Sequence, residues 1–146
     1  MPSLLAARDR EAAVRRLRSL TPEHQRRWGK MTVHQMLCHV SDQMRVALGD
    51  LPTRPYGPFL SGQLARWYAI HTLLPWPKGK VRTSPEMLTA KPAAWEADVG
   101  ACEQLIARFA RERPAAIHPR FGPLTPREWG ILAAQHLDHH FTQFGV

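Results

Sequence analysis

The chain has 146 residues, 44% of them hydrophobic, and its 20 basic and 12 acidic residues give a net charge of +8. This length suits a single domain, residues 1–146, that buries a core without disulfide or metal staples. No run of 18 apolar residues could cross a bilayer, and charge appears too early for a secretory signal, so we expect a cytoplasmic protein with no membrane partner. Cys38 and Cys102 are single and far apart, which excludes a C-x-x-C metal knuckle.

The basic residues concentrate at the start of the chain, where the first thirty positions hold eight basic and three acidic residues. Such a stripe raises the question of nucleic acid or of an anionic substrate, although a solvated helix face is the ordinary explanation. Neither a recognition motif nor alternating aromatic residues accompany the charge. The pattern therefore disfavours a nucleic-acid partner and leaves an anionic small molecule open.

Apolar residues recur at three- and four-residue spacing in five stretches, which predicts five helices. Stretches rich in proline and glycine separate them, above all 50–59 and 75–92, where a regular helix is excluded. No alternation typical of a β-strand extends over a useful length. The prediction is an all-α fold, a four-helix bundle with a long crossover that contains an extra helix, 60–74; the bundle helices are 3–19, 32–48, 92–113 and 125–144.

The last predicted helix places two histidines on its apolar face. Thr125 can cap this helix, Glu128 completes a capping box, and Gly145 suits its end. At 100° per residue, His136 and His140 fall within the stripe that should face the core. Burying two imidazoles costs free energy unless each has a partner, and the i, i+4 spacing lets both bind one metal ion.

A third histidine, His39, lies at the edge of the apolar stripe of the 32–48 helix. Metal sites in helical bundles take their ligands from facing helices, so His39 is the predicted partner of His136 and His140. Three imidazoles that leave coordination positions open are typical of a catalytic metal site. The alternative is that the histidines of the last helix are separately hydrogen-bonded core residues.

Asp42 follows His39 by one helical turn and is the nearest candidate for a catalytic carboxylate. Three roles remain open for it: orienting a ligand imidazole, coordinating the ion, or lying solvated at the surface. Asp138 should point away from the stripe and His139 should flank it, so neither is a predicted ligand. The remaining histidines are predicted to be structural or solvated: His24, His34, His71 and His118.

Two stretches, W-G-K-M-T-V-H-Q-M-L-C-H-V-S-D and the terminal H-P-R-F-G-P-L-T-P-R-E-W-G-I-L-A-A-Q-H-L-D-H-H-F-T-Q-F-G-V, carry a family likeness. The chain resembles the DinB-like (YfiT-like) metal-binding superfamily, and more narrowly its DUF1569 branch. The resemblance implies a four-helix bundle whose divalent ion, nickel or zinc, is held by His39, His136 and His140. It also implies a thiol-dependent transferase or a hydrolase.

The favoured hypothesis is a metal-dependent enzyme that acts on a small molecule, with a low-molecular-weight thiol as a further candidate cofactor. A bundle that binds metal or a small molecule without turnover is the first alternative. A nucleic-acid binder that uses the arginine-rich first helix is the second. Because bundles with an extended apolar face often pair, a homodimer also remains open.

Overall fold

Five α-helices form the framework of the protein in the computed structural model, which describes residues 1–80 and 83–146. The prediction of an all-α fold is confirmed, since a 3₁₀ segment (Pro85–Leu88) and one short hairpin are the only other regular elements in those ranges. No helix there is long and apolar enough to cross a membrane. In chain order the elements are α1 (Ala7–Ser19), α2 (Val33–Leu48), α3 (Phe59–His71), the 3₁₀ segment, α4 (Trp95–Glu112), β1 (Ile117–His118), β2 (Gly122–Pro123) and α5 (Pro126–Gln143).

Capping boxes begin the two helices that carry the predicted site. At α2, Thr32 Oγ1 accepts from the Gln35 amide across 3.1 Å, and Gln35 Oε1 accepts from the Thr32 amide across 2.9 Å. The same exchange joins Thr125 and Glu128 at α5, across 3.2 and 2.8 Å. Each box satisfies two amides that lack partners within the helix, so the start of each helix is fixed locally. The capping box predicted at Thr125 is confirmed.

Helices α1, α2, α4 and α5 pack around one continuous apolar core, as the bundle prediction requires. Trp129 of α5 is fully buried and its indole N–H donates to the Ala116 carbonyl across 2.8 Å, so its polar edge is satisfied. The side chains of Phe109 and Phe141 are also fully buried. The core thus fixes α2 and α5, the helices that carry the three histidines.

The first helix begins four residues later than predicted, at Ala7 instead of residue 3. Leu4 is fully buried against the bundle, and its amide donates to the Gly130 carbonyl of α5 across 3.0 Å. A β-carbon on Gly130 would lie 2.5 Å from Ser3 Oγ, so the close approach depends on this glycine. Residues 3–5 are therefore held by tertiary contacts that helical periodicity does not reveal.

The arginines of α1 tie it to its neighbours. Arg16 forms an ion pair with Asp138 of α5 across 2.5 Å and donates to the Val146 carbonyl across 2.8 Å. Arg18 pairs with Glu103 of α4 across 2.6 Å. Exposed pairs of this kind contribute about 0–1 kcal/mol each. Part of the basic charge at the start of the chain is thus engaged within the bundle.

The crossover between α2 and α4 contains α3 and the 3₁₀ segment, and α3 packs against α5. Ala69 and Ile70 are buried, while the opposite side of α3 leaves several large apolar side chains exposed. At Gly62 a β-carbon would lie 2.5 Å from the Arg120 carbonyl oxygen, so α3 lies close to the chain between β1 and β2. The exposed apolar residues are Phe59, Leu60, Leu64 and Trp67.

The β1–β2 hairpin was not predicted. Its antiparallel register pairs Ile117 with Pro123 and His118 with Gly122. Each strand has only two residues, so no alternation of apolar and polar side chains marks it in the sequence. The hairpin places His118 and Phe121 beside the crossover.

Candidate metal centre

Three buried histidines meet between α2 and α5. His39 comes from α2, while His136 and His140 lie one turn apart on α5. Their ring centroids are 4.7 to 4.9 Å apart, and one nitrogen from each ring lies within 4.8 Å of the others. Their exposed fractions are only 5%, 8% and 7%, respectively. The structure thus brings together the three side chains that the sequence singles out.

The 3₁₀ segment orients His39. Nδ1 of His39 lies 2.8 Å from the Met87 carbonyl oxygen. A carbonyl only accepts hydrogen bonds, so Nδ1 carries the proton and Nε2 keeps its lone pair. Nε2 is therefore the nitrogen that His39 can offer to a metal ion.

Gln143 orients His140 in the same manner. Its amide nitrogen donates to the Trp28 carbonyl across 2.7 Å, which directs the amide oxygen toward His140 Nδ1 at 2.8 Å. His140 thus donates from Nδ1 and keeps a lone pair on Nε2. A β-carbon on Gly29 would lie 2.5 Å from Gln143 Nε2, so the absence of a side chain there makes room for the orienting amide.

His136 differs from the other two because its Nδ1 is buried without a hydrogen-bond partner in the described part of the protein. Its Nε2 lies 3.0 Å from Nε2 of His39. Two nitrogens that share one ion at about 2.0–2.1 Å each are separated by about 3.0–3.4 Å, depending on the angle between the bonds. The cluster therefore fits a divalent cation.

Burial keeps the three imidazoles neutral. Loss of hydration lowers the pKa of His39, although the Met87 carbonyl and Asp42 oppose the shift. Burial, with the neighbouring His140 and His39, holds the pKa of His136 well below its ordinary value. Burial and the His39 ring lower the pKa of His140 to about 3. Neutral imidazole is the form that binds a metal, and an all-nitrogen donor set suits zinc and nickel.

The comparison with known families agrees with this geometry. Residues 5–144, nearly the whole chain, match the sequence model described as the DinB superfamily. The chain belongs to the DinB superfamily. This superfamily is known as a metal-binding helical fold, so the fold and the histidine cluster agree with the family. Neither the curated proteins nor the solved structures contain a match to the chain.

Asp42 of this DinB protein is buried, and its carboxylate is hydrogen-bonded to groups other than the histidines. Its carboxylate accepts from Arg45 Nη1 across 3.0 Å, from Thr89 Oγ1 across 3.1 Å and from the Ala90 amide across 2.8 Å. No hydrogen bond joins it to the three histidines among the residues described. The contacts tie α2 to the chain that follows the 3₁₀ segment, so Asp42 can affect His39 through Met87.

Asp138 and His139 lie where the helical projection places them. Asp138 is exposed and pairs with Arg16. The ring of His139 packs against Trp28 and Trp76, with centroids 5.7 and 5.8 Å away. Trp76 also lies over His136, at 5.9 Å between centroids. Trp76 thus lies beside both His136 and His139.

A second group of ligand-type side chains in the DinB bundle was missed by the sequence reasoning. His34, Cys38 and Asp98 place one candidate ligand atom each within 4.8 Å of one another. His34 Nε2 and Asp98 Oδ2 already form a 2.7 Å hydrogen bond, and burial together with Asp98 raises the pKa of the Cys38 thiol. The sequence shows the i, i+4 spacing of His34 and Cys38, but it does not show that Asp98 of α4 lies beside them.

Proposed function

We propose that His39, His136 and His140 together bind one divalent metal ion, nickel or zinc, and that the protein is a metal-dependent enzyme acting on a small molecule. The observation that carries the proposal is the convergence of three neutral, buried imidazoles, two of them oriented through Nδ1. Three protein ligands leave positions open, which distinguishes catalytic from structural metal sites.

A divalent ion at such a site supplies Lewis acidity, which lowers the pKa of a bound water or thiol and polarises a substrate. The protein contributes orientation: the Met87 carbonyl holds the His39 ring and Gln143 holds the His140 ring. Such second partners fix the ligand nitrogens and raise their basicity. The reaction we propose is transfer to or from a low-molecular-weight thiol, or hydrolysis.

A cavity of about 550 Å³ supports a small-molecule substrate because His136 is among the residues that line it. This volume lies in the range of sites for small organic ligands. We also propose that the protein belongs to the DUF1569 branch, from the terminal motif quoted above. The buried free thiols of Cys38 and Cys102 support a reducing, cytoplasmic location.

The test is metal analysis of protein purified without a histidine tag and reconstituted with nickel or zinc. We expect about one ion per chain in the wild type, and a large loss in His39→Ala, His136→Ala and His140→Ala. His71→Ala is the matched control, because His71 lies at the exposed end of α3. A metal content near zero, unchanged by these substitutions, would refute the proposed site.

Activity requires a separate measurement on the reconstituted protein, with panels of electrophiles plus thiols and of hydrolysable amides and esters. We expect turnover that a chelator abolishes and the added ion restores. Stoichiometric metal binding without turnover in either panel would contradict the enzymatic part of the proposal and favour a non-catalytic binding protein.

A further inference from the structure

The cavity beside the histidine cluster is enclosed by the crossover, the hairpin and α5. Aromatic residues from three segments contribute to its wall: Tyr68 of α3, Trp76 of the crossover and Phe121 of the hairpin. Leu132 and Met87 add aliphatic surface. A ligand in this cavity therefore meets a mainly apolar wall, which suits an aromatic or branched aliphatic body.

The charged residues of the cavity wall have the sign that complements a carboxylate. Lys80 and Arg120 line the cavity, and no aspartate or glutamate is among its described lining residues. Neither cation forms an ion pair with a carboxylate in the part of the chain that the structure describes. The Arg120 guanidinium instead donates to the neutral Ser61 hydroxyl across 3.2 Å.

We propose that this cavity is a binding site for a small organic acid, with an aromatic or branched aliphatic body and one carboxylate. The apolar wall receives the body, while Arg120 and Lys80 recognise the carboxylate. The identification of this acid as the substrate rests on the proposed function. The binding site itself requires no metal ion.

The experiment compares matched acid and amide probes by titration calorimetry and ligand-observed NMR. Phenylacetate and 4-methylpentanoate are the acids, their primary amides are the neutral controls, and inorganic phosphate represents an anion without an apolar body. Each is titrated into wild-type protein with and without metal. We expect both acids to bind about tenfold or more tightly than their amides, as one charge-assisted hydrogen bond provides.

Two cavity variants and a charge-matched control localise the binding. Arg120→Gln and Lys80→Gln should each reduce the acid-to-amide preference several-fold. Arg127→Gln removes the same charge from an exposed position outside the cavity and should leave the preference unchanged. Circular dichroism establishes that each variant is folded, and the acid–amide comparison in the wild type does not depend on any variant.

Equal binding of acids and amides, or no binding of either, would overturn the inference. Phosphate binding as tight as that of the acids, with the same Arg120 dependence, would also overturn it in favour of a site for inorganic anions. Acid binding by the metal-free protein supports the cavity site even if the metal analysis fails. Failure of the cavity site leaves the metal result intact, so the two proposals are tested separately.

Discussion

The His140 imidazole donates from Nδ1 to the side-chain oxygen of Gln143 across 2.8 Å, which leaves Nε2 available for a metal ion. Replacing Gln143 by leucine removes this partner and the link to the Trp28 carbonyl. We expect metal affinity to fall about 10- to 100-fold, the usual effect of losing a partner that orients a ligand. Competition with a chromogenic chelator measures the change.

Gln135→Leu is the control for Gln143→Leu, because Gln135 lies on the same helix and donates to the Thr72 carbonyl across 3.3 Å, away from the histidines. Its metal affinity should equal that of the wild type. If Gln143→Leu binds metal as tightly as this control, Gln143 has no orienting role.

Gly29→Ala tests the orienting role of the Gln143 side chain by placing a methyl group against its amide. Gly29 has φ of +81°, and an added β-carbon would lie 2.5 Å from Gln143 Nε2. We expect Gln143 to move, metal affinity to fall about tenfold, and stability to fall by about 1–2 kcal/mol from the left-handed backbone. Metal titration and denaturant unfolding of the metal-free protein separate the two effects.

Gly49→Ala is the control that separates the effect of backbone strain from the effect of displacing the Gln143 side chain. Gly49 ends α2 with φ of +82°, and nothing lies within 4 Å of a β-carbon there. This variant should lose comparable stability and keep its metal affinity. An equal loss of affinity in both glycine variants would show that backbone strain, and not Gln143, controls the site.

Asp42→Asn tests whether this carboxylate is a catalytic base or a positioning residue. Because Asp42 holds Thr89 and Ala90 near the segment whose Met87 carbonyl orients His39, we expect about 1–3 kcal/mol of lost stability and weaker metal binding. Activity should return when the metal concentration is raised to saturation. Activity that stays low in fully metal-loaded Asp42→Asn would instead identify a catalytic base.

His118 should make the metal-free protein sensitive to acid. Burial, and secondarily Arg120, lowers the pKa of His118 to about 3, and its Nδ1 accepts from the amides of Arg120 and Phe121 at 3.1 Å each. The unfolded chain takes up this proton near pH 6.5, so the free energy of unfolding should decrease as the pH falls from about 6.5 toward 3.

His118→Asn keeps an acceptor near the Nδ1 position and removes the titrating group. The stability curve of this variant should be flatter between pH 6 and 4, by up to about 1.4 kcal/mol per pH unit. Denaturant unfolding in the presence of a chelator gives the comparison. Parallel curves for variant and wild type would mean that His118 does not carry this dependence.

The sequence predicted the helices and the histidine cluster well, because both depend on local spacing. Helical periodicity and the capping boxes at Thr32 and Thr125 determine α2 and α5 almost to the residue. The i, i+4 relation of His136 and His140, with His39 on a facing helix, is readable from apolar stripes alone. The metal-binding role of these residues remains a prediction.

Features that depend on tertiary contacts could not be predicted from the sequence. Because Leu4 is held against Gly130, α1 begins later than helical periodicity predicts. The strands of the hairpin have two residues each, too few to show an alternation of apolar and polar residues. The orienting partners of the histidines are a backbone carbonyl and a glutamine, which no motif marks. The sequence left three candidate roles for Asp42 because its hydrogen-bond partners Thr89 and Ala90 lie in the crossover, whose position against α2 the sequence does not reveal.

The indole of Trp76, 5.9 Å from the His136 ring, gives the molecule an optical reporter of its own. An ion held by the histidines would lie close enough to this ring for open-shell nickel to quench its fluorescence, while closed-shell zinc would not. The emission lost on adding nickel but not zinc, and absent in Trp76→Phe, therefore distinguishes the two ions at the cluster without any label.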